Sequence, residues 1–330
     1  MNSALLYLHL QPPEQGSRPS ETSSKASTQK LTMRERVVSA LQRRTDLPAF
    51  PATAHRLAAT FNNPLVDISE VAEIARLDPG ITSRCLRLAS SPVFGGHIIS
   101  TLEEALMLLG ANEVRKVAAS IVVIDSLKHM RVKINWELFW LHSLLVARLA
   151  ERLANAYRET DGREYMAGLL HDVGKLFIEY YFPQEFELVL MRAVNSRAGM
   201  YEAESRLLDI NHAEVTAMLC DKWNLNHELI GGIQFHHEPL SSFNSDPNDP
   251  TYTPLLALCI CIADRIANIC HANIQGAENW DNVAVESMTE WTALKEKFKP
   301  VRTLMLDVAG ELQKAQELIA SFKEPLAKAQ

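Results

Sequence analysis

From about residue 32 onward the apolar side chains of this chain recur at helical spacing, and no stretch sustains the apolar–polar alternation of a half-buried strand. That periodicity confines the fold to packed helices and predicts an all-α protein. Several helix ends are written beside it. In DISEVAEIARLDP, Asp67 stands where it can cap the first turn and Glu70 occupies the capping-box position. Ile68, Val71, Ile74 and Ala75 make one apolar face before Asp78-Pro79 begins the next element. That next helix, about 79–90, runs out at SSPVFGGH, whose Pro92, Gly95 and Gly96 require a loop. STLEEALMLLG follows the same grammar: Ser100 or Thr101 caps, Glu103 or Glu104 answers, and Gly110 stops the helix. Helix follows helix to about 127.

A second block begins near Trp136 with WELFWLHSLLVARLAERLANA and REYMAGLLHDVGKLFIEYYF, then a helix around 184–195. Helical stretches continue through YEAESRLLDI, HAEVTAMLCDKW, HELIGGIQFHHE and LLALCICIADRIANICHA, and two amphipathic segments lead to the C-terminus. Residues 241–254 form a polar loop. Residues 11–31 are rich in Ser, Thr, Gln and Pro with almost nothing to bury, so 1–31 is expected to be a disordered tail.

The chain has 330 residues, 47% of them hydrophobic, enough for a sizeable core. No apolar run is long enough to cross a bilayer. ALLYLHL at 4–10 is too short, lacks a basic flank and precedes no cleavage pattern, so a cytoplasmic protein without a membrane partner is expected. A net charge of -7 offers no field for nucleic acid, which argues against direct nucleic-acid binding. Arg34, Arg36, Arg43 and Arg44 are interspersed with acids and read as a solvated helix face. The five cysteines, Cys85, Cys220, Cys259, Cys261 and Cys270, have apolar surroundings and no paired spacing, as expected of reduced core residues.

Chemistry concentrates elsewhere. GLLHDVGKL places His171, Asp172 and Lys175 in what reads as one buried helix, where an ionised carboxylate costs several kcal/mol unless a partner or a metal compensates it. Lys175 lies three and four residues beyond the pair, on the same helix face. An internal Asp–Lys ion pair would satisfy the carboxylate but leave the imidazole unexplained. A metal explains both, since neutral imidazole and carboxylate are ordinary ligands of iron, manganese, zinc or nickel. His142 falls on the apolar face made by Phe139, Leu145, Val146 and Leu149; alone it would read as a hydrogen-bonded core histidine. Asp264 stands in LLALCICIADRIANIC, and Arg265 projects about 100° away from it. Something else must meet that carboxylate, a metal or a polar network. His212 in DINHAEV and the His236-His237 pair in FHHEP complete the set, although one could sit beside a helix cap and the other in a last turn. His9, His55, His97, His129, His227 and His271 have no comparable setting.

The order His142, His171-Asp172, Asp264 resembles the H...HD...D signature of the HD superfamily of metal-dependent phosphohydrolases, with HDVGK as its usual local form. LPAFPATAHRLA, IARLDPGITSRCLRLASSPVFGG, ISTLEEALMLLGANEVRKVA and GLLHDVGKL, followed by DINHAEV and FHHEP, are similar to the HDOD family, the HD-related output domains of bacterial signal transduction. The resemblance spans about 46–242, with Asp264 just beyond. It implies an N-terminal helical lobe, 32–135, an HD-like metal-site bundle, 136–272, and C-terminal helices, 273–330, packing on the bundle. It implies a regulatory protein that binds a protein partner or a small nucleotide-like signalling ligand, with one or two divalent transition ions held by His142, His171, Asp172, His212, His236, His237 and Asp264. His212, His236 and His237 match in order the extra histidines of the HD-GYP phosphodiesterases. An alternative is therefore a metal-dependent phosphohydrolase, in which Asp172 would bridge two metals and Lys175 would contact the phosphate. After HHE this chain reads PLSSFNSDPNDP where those enzymes carry Gly-Tyr-Pro, which argues against cyclic-di-GMP as substrate.

Overall fold

A computed structural model of the chain describes residues 31–43, 47, 49–61, 68–196, 199–270 and 285–323. Among them every regular element is helical. The N-terminal part comprises α1 (Met33–Arg43), α2 (Ala52–Phe61), α3 (Ile68–Arg76), α4 (Pro79–Ala89), α5 (Leu102–Leu109) and α6 (Ala111–Leu127). There follow α7 (Trp136–Asn155), α8 (Arg163–Leu170), α9 (Val173–Tyr181), α10 (Pro183–Ser196), α11 (Met200–Leu208), α12 (His212–Lys222), α13 (His227–Gln234) and α14 (Pro254–Ile269). The last are α15 (Thr289–Lys297) and α16 (Val308–Lys323).

The caps obey the local rules. Asp78 accepts from the Gly80 and Ile81 amides to start α4. Thr101 and Glu104 close a reciprocal capping box on α5, and Gly110, at φ 79°, ends it. Val71, Ile74 and Ala75 are buried together, whereas the expected Asp67 cap lies outside the described residues, as does the tail except for Leu31.

Helix α7 is the axis of the molecule. It packs on α14, α8 and α16, and it is buried along most of its length. α9 lies on α12, and α13 joins α12 to α14. α16 packs against α7 and also against α4, so the C-terminal helix touches both parts of the chain. One continuous apolar core runs through all of it.

Three local findings refine the sequence reading. The stretch REYMAGLLHDVGKLFIEYYF is two helices, because α8 ends at Leu170 and α9 begins at Val173. The arginines of α1 are more than a solvated face: Arg34 donates to the Asp209 carbonyl at 2.8 Å and pairs with Glu214, and Arg36 pairs with Glu185 at 2.8 Å, clamping α1 onto the later helices. Arg44 is outside the described residues. Cys85, Cys220, Cys259 and Cys261 are buried free thiols, as expected, and Cys270 is partly buried. No described helix is long and apolar enough to cross a membrane.

Candidate metal centre

The break between α8 and α9 creates the site. Gly174 comes so close to α12 that a Cβ would lie 2.2 Å from the His212 carbonyl oxygen, and its amide donates to Thr216 Oγ1 at 2.8 Å. This contact turns the chain at His171 and Asp172, where Asp172 takes φ -102°, ψ 0°. Asp172 makes no capping bond to the first turn of α9, and its carboxylate is directed inward instead.

All seven predicted donors meet there. Asp172 Oδ2 lies 3.7 Å from His142 Nε2, 3.4 Å from His171 Nε2 and 2.8 Å from Lys175 Nζ. Its other oxygen, Oδ1, faces His212 Nε2 at 3.2 Å. His212 Nε2 is 2.8 Å from His237 Nε2, and the His236 and His237 rings are 4.0 Å apart. Asp264 Oδ1 stands 3.0 Å from His142 Nε2 and 3.8 Å from His171 Nε2, and it accepts from Asn268 Nδ2 at 3.0 Å. The Asp264 carboxylate thus stands beside two imidazole Nε2 atoms and accepts one amide hydrogen bond. The remaining histidines expected to be ordinary take no part in these contacts where they are described.

Two groups emerge in which one donor atom per residue lies within 4.8 Å of every other: His142, His171 and Asp172, and Asp172, His212, His236 and His237. Asp172 belongs to both, one oxygen to each. Asp264 flanks the first.

Three of the imidazoles, His171, His212 and His236, are held with their Nε2 lone pairs inward. His171 Nδ1 contacts the Gly168 carbonyl at 2.7 Å and His236 Nδ1 the Ile233 carbonyl at 2.6 Å. Carbonyls only accept, so Nδ1 carries the proton and Nε2 is bare. For His212 the acceptor is the wholly buried Glu204, whose Oε2 takes both the Nδ1 proton, at 2.6 Å, and the backbone N–H, at 2.7 Å. Such outer partners fix the tautomer and orientation of ligating histidines. Glu204, Thr216 and Asn268, which bond to His212, Gly174 and Asp264 respectively, are residues of this candidate site that motif reading missed. Their one sequence signal is a polar residue on an otherwise buried helix face.

Bare imidazole nitrogens facing one another and a carboxylate oxygen repel unless a cation lies between them. His236 Nε2 and Asp172 Oδ1 are buried with no hydrogen-bond partner in the protein, the feature expected of a pair of metal-facing donors. The electrostatics agree. Burial would raise the Asp172 and Asp264 carboxyls, but their imidazole neighbours, and for Asp172 also Lys175, hold both well below the ordinary range. Burial lowers His236 to about 3 and pushes His237 well down. His171 is raised, because Asp172 and Asp264 together outweigh its burial; the field that favours a proton there would equally favour a dication. Ionised carboxylates and the neutral forms favoured at His236 and His237 are the states that metal ligation requires, and at His171 an ion would take the place of the proton. The donor set suits iron, manganese, zinc or nickel.

Known proteins share the fold that carries this site. A structure of an HDOD domain protein of unknown function from Geobacter sulfurreducens is 26% identical, with a TM-score of 0.70 over 87% of this chain and 96% of that one. A Shewanella amazonensis SB2B structure whose name includes the word phosphohydrolase is 23% identical, with a TM-score of 0.59 over 86% of this chain and 97% of its own, and shares the fold. A Marinobacter aquaeolei VT8 structure whose name includes the words signal transduction protein shares the fold at 21% identity, with a TM-score of 0.61 over 87% of this chain and 64% of that one. An uncharacterized protein of Treponema pallidum (strain Nichols) is 23% identical over 198 residues, 58% of this chain; the match spans 38% of that longer relative. The HDOD domain family matches residues 47–239, the stretch that carries α2 to α13 and six of the seven donors, and the chain belongs to that family.

Proposed function

We propose that this chain is a signalling module whose HD-like pocket holds one or two divalent transition ions as a buried centre, and that it acts by binding a protein partner or a small nucleotide-like ligand without turning over a substrate. The observation that carries this reading is the closure of the donor set. His171 and His212 are 0% exposed, Asp172 is 1% and Lys175 is 3% exposed, and only His237 is partly open. A phosphoester would find almost no surface of Asp172 or Lys175 to lie on. Lys175 is moreover engaged by Asp172. The absence of Gly-Tyr-Pro after HHE points the same way, as does the signalling name of one structural relative. His142, His171, Asp172 and Asp264 would hold one ion, and Asp172, His212, His236 and His237 a second.

A second reading, a metal-dependent phosphohydrolase, is favoured by Asp172 turning one oxygen to each donor group. It also draws on the phosphohydrolase name of another relative. In that case bound metals would supply hydroxide and neutralise a phosphoryl oxygen. The chain's own contribution would be Asp172 as bridge and Lys175 beside the phosphate.

The two readings separate on one preparation. The full chain is purified anaerobically, its transition metals are quantified against a His171→Ala/Asp172→Ala variant, and both proteins are assayed on nucleotide and cyclic-dinucleotide panels. Metal retained by the wild type, lost in the variant and unaccompanied by turnover is the expected outcome. Turnover that disappears in the variant would replace the first reading with the second.

A further inference from the structure

The second donor group, Asp172, His212, His236 and His237, is backed by one short helix. Tyr201 and Glu204 stand three residues apart on α11, and so on one face of it. Glu204 fixes His212 through hydrogen bonds. Tyr201 stacks on His237 with ring centres 4.6 Å apart and meets His212 edge to face at 6.4 Å.

His237 depends on that stack, because it lacks the support the other rings have. His171, His212 and His236 each give the Nδ1 proton to a buried oxygen. Among the described residues no acceptor meets Nδ1 of His237, and the contact of its Nε2 is with His212 Nε2, at 2.8 Å. Those are the two nitrogens an ion would claim. Once it does, aromatic contacts alone set the plane of the His237 ring, and among the described residues the rings touching it are His212, His236 and Tyr201. Tyr201 is the one that lies outside the donor set.

Tyr201 also borders solvent. It is half-buried and lines a hollow of about 410 Å³, where Glu202, Asp209, Glu214 and Glu238 face Arg34 and Arg206. Four carboxylates against two guanidiniums favour a cation over a phosphate, and Arg34 is already paired with Glu214. The first donor group has no such approach: His142, His171 and Asp172 are 2%, 0% and 1% exposed.

We infer that Tyr201 is the positioning residue of His237 and thereby controls exchange of a divalent ion between the second donor group and the acidic hollow, while an ion in the first group is occluded. The inference rests on the metal-centre reading and adds to it an order among the ions. Displacing Tyr201 and His237 opens the second group; Glu204 keeps His212 in place meanwhile.

The test loads the full chain with Zn²⁺ and follows release to an excess of a chromophoric chelator. The wild type is expected to hold two ions per chain and to release them in two phases of one ion each. Tyr201→Ala should speed the faster phase about tenfold, the scale of one aromatic pair, and leave the slower phase unchanged. Tyr201→Phe keeps the ring and should release like the wild type. Equal acceleration of both phases in Tyr201→Ala would mark a merely structural role and overturn the inference, as would an unchanged faster phase. Release from Tyr201→Phe as fast as from Tyr201→Ala would overturn it too, since the stack would then not be what holds His237. A wild type holding a single ion would overturn it and leave a buried metal centre standing, whereas a wild type holding none would overturn both.

Discussion

Glu204 belongs to no motif, yet it orients His212 by taking the imidazole Nδ1 proton and the backbone N–H on one carboxylate oxygen, fully out of water. Replacing it by Gln keeps the volume and removes the charge, so His212 would lose the anion that makes it a stronger ligand. Glu204→Gln is expected to weaken metal binding about 10- to 100-fold, the usual effect of losing such an orienting partner, with an unchanged helical spectrum. Competition against a chromophoric chelator reads this directly, and an unchanged metal affinity would remove Glu204 from the site. The seven donors themselves were legible because their types and order form a pattern: His142, the adjacent His171-Asp172, three later histidines, and a lone carboxylate in the apolar run of α14. Glu204 was not legible, and its near neighbour shows why. Glu202, two residues earlier in YEAESRLLDI, accepts the Gly199 amide at an exposed helix start. Both are glutamates in one short amphipathic helix. Only the packing of α11 on α10 and α12 sends one into the core and leaves the other at the surface.

At the scale of elements, the positions that build the pocket are glycines, where helices come too close for a side chain. A Cβ on Gly168 would lie 2.6 Å from Ala147 Cα of α7, and one on Gly174 would lie 2.2 Å from the His212 carbonyl of α12. In an exposed helix, Gly→Ala stabilises by about 1 kcal/mol through propensity alone. Here the sign reverses. Gly168→Ala and Gly174→Ala are each expected to destabilise by at least the ~1–3 kcal/mol typical of overpacking, seen as lower denaturant midpoints. Gly174→Ala should also reduce bound metal, since it pushes α9 from α12; stability at or above wild type in both variants would mean the helices can part without cost. This crossing explains what periodicity could not reveal. The all-α class and the caps at Asp78, Thr101 and Gly110 depend on neighbours within a few residues, and the structure follows them. The apolar rhythm, however, continues through His171-Asp172 without interruption. The signal for the break is Thr216 Oγ1 accepting the Gly174 amide from 42 residues away.

Across the whole molecule, the N-terminal helices, the axial helix and the C-terminal helix are tied by one buried ionic network. Arg148 of α7, 3% exposed, pairs with Glu113 of α6 and with Glu311 of α16 at 3.2 Å. Lys116 adds bonds to Glu113 at 3.3 Å and Glu151 at 2.8 Å, and Lys314 reaches Glu311 at 3.2 Å. Burial, the largest single influence on Glu113, pushes its carboxyl up, but Arg148 and Lys116 outweigh it and hold the group below its ordinary 4.5. Lys116 is likewise raised above 10.5, burial being outweighed by Glu113 and Glu151. A depressed carboxyl stabilises the fold above its unfolded value and loses that contribution as pH falls through the folded one; a raised amine does so below its unfolded value and loses it as pH rises through the folded one. The network therefore contributes fully between about pH 4.5 and 10.5 and fades on either side. Arg148→Met takes one partner from each of two buried carboxylates. Because Lys116 stays with Glu113, and Arg152 and Lys314 with Glu311, the expected cost at pH 7 is about 3 kcal/mol, the lower end of what breaking a buried pair entails. Without Arg148 one of the influences holding Glu113 down is gone and its carboxyl rises, so acid should neutralise it more readily than in the wild type. The gap between wild type and variant, measured by urea midpoints, is expected to narrow between pH 7 and pH 4. A gap of constant size over that range would show that Arg148 contributes packing and no charge, and would leave the three-way junction to its apolar contacts.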